Sequence, residues 1–208
     1  MTTKFKNKYR IESARLRNWD YRSDGLYFIT ICTKNRKHHF GEIHNKEMIL
    51  SEIGKLAQQF WHEIPNHFPF IELGEFVVMP NHVHGVLILN NAVESVKSFS
   101  VEALQCNVST ENDSNANDSN DSNDSNDSND STAFNQKMSE ISPKPGSIST
   151  IIRSYKSVTT KHSKKINSNF GWQTRFHDHI IRNMNAFHKI QNYIVNNPKK
   201  WTEDLFNN

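Results

Sequence analysis

Between Phe76 and Leu89 the chain reads Phe-Val-Val-Met-Pro-Asn-His-Val-His-Gly-Val-Leu-Ile-Leu, and this stretch restricts its fold more than any other. Phe76 to Met79 and His82 to Leu89 are apolar and β-branched, which predicts two short strands joined at the turn-forming pair Pro80-Asn81. Successive strand side chains point to opposite faces, so His82 and His84 project as a pair from one face. Paired imidazoles suit a metal or phosphate site and are an odd choice for a purely structural strand.

The rest of the pattern supplies a sheet and helices. Leu26 to Thr33 follows Asp24-Gly25 and predicts a first strand. Ile53, Leu56, Phe60 and Ile64 recur at helical spacing, with Ser51 placed as a cap and Pro65 as a stop. Pro145-Gly146-Ser147 opens a second helix whose apolar stripe is Ile148, Ile151, Ile152, Tyr155 and Val158. Gly171 to Arg182 reads as a strand around Ile180-Ile181, and a last helix is expected from about Asn185 to Asn197, ended by Pro198. Two β-α-β-like halves predict an α+β fold, an antiparallel sheet with helices packed mainly on one face.

From Asn112 to Ser131 runs a degenerate Asp-Ser-Asn array with no apolar side chain larger than Ala116. Such a tract buries too little surface to offset its ordering entropy, so disorder is expected. The excursion from about 91 to 145 then reads as an insert in a single domain spanning 1–208. Outside residues 111–131, 25 Lys and Arg face 15 Asp and Glu, a basic excess that favours a polyanionic partner such as nucleic acid. The two cysteines, Cys32 and Cys106, fit neither a disulfide framework nor a CxxC metal site. With no apolar run of bilayer length and no secretory signal, a soluble cytoplasmic protein without membrane partners is expected.

On the last helix Tyr193 and Asn197 are four apart and share a face, beside an apolar stripe of Phe187, Ile190 and Ile194. Docking that stripe on the sheet would leave the Tyr193/Asn197 edge overlooking the histidine strand. Trp172, Arg175, Phe176, His179 and Arg182 combine stacking surface with charge, the ingredients of single-strand binding, although aromatic packing at a sheet rim explains Trp172 and Phe176 equally well. Arg153, Lys156 and Lys161, with Lys164 and Lys165, are candidate phosphate contacts on the polar side of their helix, where a solvated face is the plain alternative.

A His-hydrophobic-His pair on a strand, followed far downstream by a helical Tyr-x-x-x-Asn, resembles the single-tyrosine HUH transposases of small insertion sequences. The run Gly171-Trp172-Gln173-Thr174-Arg175-Phe176-His177-Asp178-His179-Ile180-Ile181-Arg182-Asn183, continuing to Tyr193 and Asn197-Pro198, is closer still to the REP-associated tyrosine transposases. The resemblance covers most of 20–90 and 145–201. It implies an HUH endonuclease fold of ferredoxin-like type and a divalent ion, Mg²⁺ or Mn²⁺, held by His82, His84 and Asn197. Many relatives have Gln at that last position; Asn occurs in the REP-associated branch. It further implies that Tyr193, with His82 and His84, forms the catalytic set: the phenol attacks a phosphodiester of single-stranded, hairpin-bearing DNA and leaves a 5′-phosphotyrosine. Relatives occur as dimers and as monomers.

Other readings fit less well. Histidine-triad hydrolases need another His where Val86 stands, and no spacing suggests a zinc hydrolase. Tyr155 lies on its helix's apolar stripe and reads as core, while Tyr9, Tyr21 and Tyr27 lack a partner amide at helical spacing. A DNA- or RNA-binding module that no longer cuts, and a site-specific nickase in repair or replication, remain alternatives to a transposase.

Overall fold

The computed structural model describes Leu16 and residues 19–90, 144–204 and 206–207. The Asp-Ser-Asn array, Cys106 and nearly all of the expected insert lie outside the described residues. In chain order the elements are β1 Gly25–Cys32, β2 Gly41–His44, β3 Glu47–Leu50, α1 Glu52–His62, α2 Ile64–His67, β4 Ile71–Met79, β5 His82–Leu89, α3 Ile148–Ile166, β6 His177–Ile181 and α4 Met184–Asn196. Two 3-10 segments, Lys34–Arg36 and Pro198–Glu203, flank the site described below.

Four strands form one antiparallel sheet in the order β4-β5-β1-β6. Residues from either side of position 91 share it, since β6 hydrogen-bonds to β1. One sheet face carries Tyr27, Ile29 and Ile31 of β1 and Val83, Leu87 and Leu89 of β5, and buries them under α1 and α3. Trp61 of α1 stacks on Phe76 with ring centroids 4.8 Å apart and meets Tyr155 of α3 edge-on, while the Tyr155 hydroxyl donates to the Ala57 carbonyl at 3.0 Å. Gly85 is required beneath this cluster, because a Cβ there would collide with the Trp61 ring. On the opposite face Val86, Ile181 and Ile194 are buried among Leu26, Phe28, Phe187 and Ile190, so α4 packs on the side where His82 and His84 point, away from α1 and α3. The α+β architecture with helices mainly on one face is therefore observed, and the helix set apart from the others carries Tyr193.

Several local expectations need correction. α1 ends at His62, and Ile64 and Pro65 start the short α2, because a proline lacking its N–H is tolerated in a first helical turn. β4 begins at Ile71, five residues earlier than its alternation suggests, since a bulge between Leu73 and Phe76 shifts the register. The strand expected from Gly171 is confined to His177–Ile181. Gly171 and Gln173 instead bond to the end of β1: Lys34 N donates to Gly171 O at 2.7 Å, and Gln173 N donates to Cys32 O at 2.9 Å. Ser51 caps α1 as expected, accepting from Gly54 N at 3.1 Å, and Ser147 and Asn183 cap α3 and α4. Among the described residues no helix is long and apolar enough to cross a membrane.

Candidate functional site

His82 and His84 lie on the α4 face of β5, next to the turn that joins it to β4, and both are essentially buried. Their ring centroids are 4.4 Å apart. Each ring has its Nδ1 engaged. His82 Nδ1 is 2.8 Å from Asn81 Oδ1, and His84 Nδ1 is 2.9 Å from Thr30 Oγ1, the residue facing it across the β1–β5 ladder. His84 Nε2 is hydrogen-bonded to the Tyr193 hydroxyl at 3.2 Å, although 109 residues separate them. His82 Nε2 is buried with no hydrogen-bond partner.

Phe28 is the platform for this meeting. It stacks on His84 at 5.3 Å and meets Tyr193 edge-on at 6.2 Å, so one β1 ring orients both groups. Ile194, fully buried, anchors α4 on the sheet and leaves the adjacent Tyr193 on the helix edge, 44% exposed. Asn197, one turn on, caps the helix and is 2% exposed, with its Oδ1 lacking a partner. Tyr193, Asn197, Asp204 and Phe206 line one cleft together with Lys189, Asn192, Asn196, Lys200 and Glu203.

Burial dictates the charge state. It depresses the His82 imidazole to about 2, with the neighbouring His84 and Arg36 adding to the effect, and His84 to about 3, with His177 contributing. Both rings are therefore neutral bases at physiological pH, the form that binds metal. Burial and then the Asp204 charge push the Tyr193 phenol above its ordinary value, and the Asn197 side chain opposes them.

A metal fits the donor set. The ligand atoms of His82, His84 and Asp204 lie within 4.8 Å of one another, and the buried, unpartnered His82 Nε2 and Asn197 Oδ1 are acceptors awaiting a positive group. Two imidazoles and a carboxylate form a mixed nitrogen and oxygen set that could hold a divalent cation. Asp204 was not anticipated, because it follows the 3-10 segment beyond the last helix, in extended backbone with no periodicity to announce it. Phe28, Thr30, Asn81 and Phe206 were equally hidden, since only strand pairing and chain return bring them in.

The remaining sequence-picked residues divide into two groups. Arg153, Lys156, Lys161 and Trp172 line a second, open groove with Lys34, Lys164 and the 168–174 segment, and among the described residues no carboxylate lines it. Within it Trp172 packs on the core and its indole donates to Lys156 O at 3.2 Å, while Lys156 Nζ donates to Gln173 O at 2.5 Å. Arg175, His179 and Arg182 are exposed along and beside the β6 edge, whereas Phe176 packs inward against the core. Tyr155 is a core residue on the opposite face, as its stripe suggests. Cys32 is a buried free thiol.

No family model matches the chain. An uncharacterized protein of Haemophilus influenzae is 34% identical over 206 residues, covering 98% of this chain and 97% of that one. Among solved structures, that of the REP-associated tyrosine transposase bound to a REP hairpin superposes with a TM-score of 0.51 at 19% identity, covering 91% of this chain and 74% of that chain. A putative transposase from Deinococcus radiodurans R1 gives a TM-score of 0.40 at 12% identity over 88% of this chain and 97% of that one. At these identities the likeness to solved structures concerns the fold. The chain belongs to one family with the Haemophilus influenzae protein, and that family is built on the fold of the REP-associated tyrosine transposases.

Proposed function

We propose that the chain is a metal-dependent DNA strand transferase that cuts and rejoins single-stranded, hairpin-bearing DNA through Tyr193. The observation that carries this reading is the 3.2 Å approach of the Tyr193 hydroxyl to His84 Nε2, a phenol and a candidate metal ligand meeting at the rim of an open cleft. His82, His84 and Asp204 would hold the cation, with Asn197 as a further ligand. When bound, Mg²⁺ or Mn²⁺ would supply positive charge against the oxygens of a scissile phosphate.

The chain's own residues account for the rest. His84 Nε2 has one lone pair, so a cation held there would displace the Tyr193 hydroxyl and leave the phenol free to attack. Tyr193 Oη bonds to phosphorus as the bond to the 3′ oxygen breaks. The phenol gives its proton to solvent, and the departing 3′ oxygen takes one up. Rejoining reverses these steps with another 3′-hydroxyl, and the phosphotyrosine conserves the bond energy, so no nucleotide cofactor is needed. The basic groove at Arg153, Lys156, Lys161 and Trp172 suits DNA backbone, and Arg175, His179 and Arg182 offer further phosphate contacts. A hairpin substrate is supported by the REP hairpin in the related structure. The phenol and the imidazoles are supplied by one chain, and either a monomer or a homodimer working on cytoplasmic DNA would suit this reading.

Incubation with labelled hairpin-flanked single strands and Mn²⁺ should give a protein–DNA adduct that survives denaturation. Tyr193→Phe should abolish it, while Tyr155→Phe should retain it in proportion to folded protein. Strand binding without an adduct in the wild type would favour a non-cutting module, and an adduct in Tyr193→Phe would move the nucleophile elsewhere.

A further inference from the structure

Asn81 occupies the turn before β5, is fully buried, and has nearly all of its polar capacity assigned. Its carbonyl accepts from Thr33 N at 2.9 Å and from Thr33 Oγ1 at 3.0 Å. Its side-chain nitrogen lies 2.7 Å from the Phe206 carbonyl oxygen and 3.2 Å from that of Arg36. Carbonyl oxygens only accept, so the atom facing two of them must be the NH₂ group, which fixes the orientation of the amide. Its Oδ1 is then the atom 2.8 Å from His82 Nδ1. An amide oxygen also only accepts, so Nδ1 of His82 must carry the proton. The neutral ring has one proton, which leaves Nε2 bare, and that nitrogen is the buried atom without a partner.

We infer that Asn81 is a positioning residue that locks His82 in the Nδ1–H tautomer and thereby presents a bare Nε2 lone pair to a cation. A free histidine side chain in water prefers the other tautomer, so the protein must impose this one. His84 lacks such a lock, because its Nδ1 partner is the Thr30 hydroxyl, which can donate or accept. Two strand neighbours of one metal pair thus have different preparation: His82 is committed to ligation before any ion arrives, and His84 can exchange roles as Tyr193 leaves. Hydrogen-bond partners that set the tautomer of a ligating histidine change metal affinity about tenfold to a hundredfold.

The inference rests on the metal-centre reading and not on strand transfer, so its tests avoid DNA. Long-range ¹H–¹⁵N spectra of the full-length, metal-free protein at pH 7.5 read the His82 tautomer directly. Wild type should show Nδ1–H alone, and folded Asn81→Ala should shift toward Nε2–H. Titration with Mn²⁺ should give affinity in Asn81→Ala about tenfold to a hundredfold weaker than wild type. An Nε2–H signal for His82 in wild type would overturn the lock without recourse to any variant, as would an unchanged tautomer in folded Asn81→Ala. Wild-type tautomer as expected with no Mn²⁺ binding would uphold the lock and sink the metal reading instead.

Discussion

A buried imidazole that stays neutral in the folded protein makes stability depend on pH in a definite direction. His82 and His84 have folded pKa values depressed to about 2 and about 3 by burial, against roughly 6.5 in an unfolded chain. Below 6.5 the unfolded state binds protons that the folded state refuses. Their contribution is therefore intact above about pH 6.5 and is lost as pH falls toward the folded values. At pH 5.5 each histidine should cost about 1.4 kcal/mol of stability, and the pair about 3. Urea unfolding of chelator-treated protein at pH 7.5 and 5.5 checks this. His39, also depressed chiefly by burial, works in the same direction, so the diagnostic comparison is His82→Gln, whose pH dependence should be flatter than wild type. An unchanged slope in that variant would mean that the His82 ring is hydrated in the native state.

At the scale of elements, the β2–β3 hairpin shows what a sequence conceals. Its two-residue turn, Asn45-Lys46, has φ of 50° and 67°, the left-handed pair that a right-twisted hairpin prefers. Asn accepts that conformation readily and Lys does not, so the pair lacks the Asn-Gly signature that would announce a turn. The flanking strands are four residues each, too short for an alternation to stand out, which removes the other clue. Lys46→Gly should therefore stabilise the protein by roughly 0.5–1 kcal/mol, read as a higher thermal midpoint, because relief of left-handed strain outweighs the glycine's added entropy. A fall in midpoint would mean that the Lys46 side chain contributes contacts that the strain argument omits. Elsewhere the elements were legible where one residue type dominates a period: the β4–β5 hairpin, the stripes of α1 and α3, and the same-edge pair Tyr193/Asn197. The phenol's approach to the histidines followed from the docking stripe of α4. Asp204 beside the histidines and the Phe28 platform did not, because their relevance depends on which strands become neighbours and on where the chain returns after its last helix.

For the molecule as a whole, the sheet separates two jobs. Its α1/α3 face holds the large aromatic core and fixes Gly85 under Trp61, while the face covered by α4 with Trp201 and Phe206 keeps enough open surface for a cleft beside the histidines. The basic groove lies on the α3 side yet begins where Thr33 bridges to Trp172, next to Cys32, which faces His82 across the ladder. A strand leaving the cleft could thus pass round this end of the sheet to reach Lys34, Arg153, Lys161 and Lys164. That path makes a quantitative claim about salt. Each phosphate neutralised on a single strand contributes about 0.7 to the slope of log K against log salt concentration. The double variant Arg153→Ala, Lys161→Ala removes two exposed cations and no core contact, whereas Lys156 also holds the Gln173 carbonyl and is a poor probe. Binding of a hairpin-flanked strand, measured by fluorescence anisotropy between 50 and 200 mM salt (about a fourfold range), should lose roughly 1.4 from that slope. Affinity at low salt should fall for every sequence alike, since phosphate contacts carry no base information. An unaltered slope would exclude the groove from the DNA path and leave the β6 edge, with Arg175, His179 and Arg182, to carry the backbone.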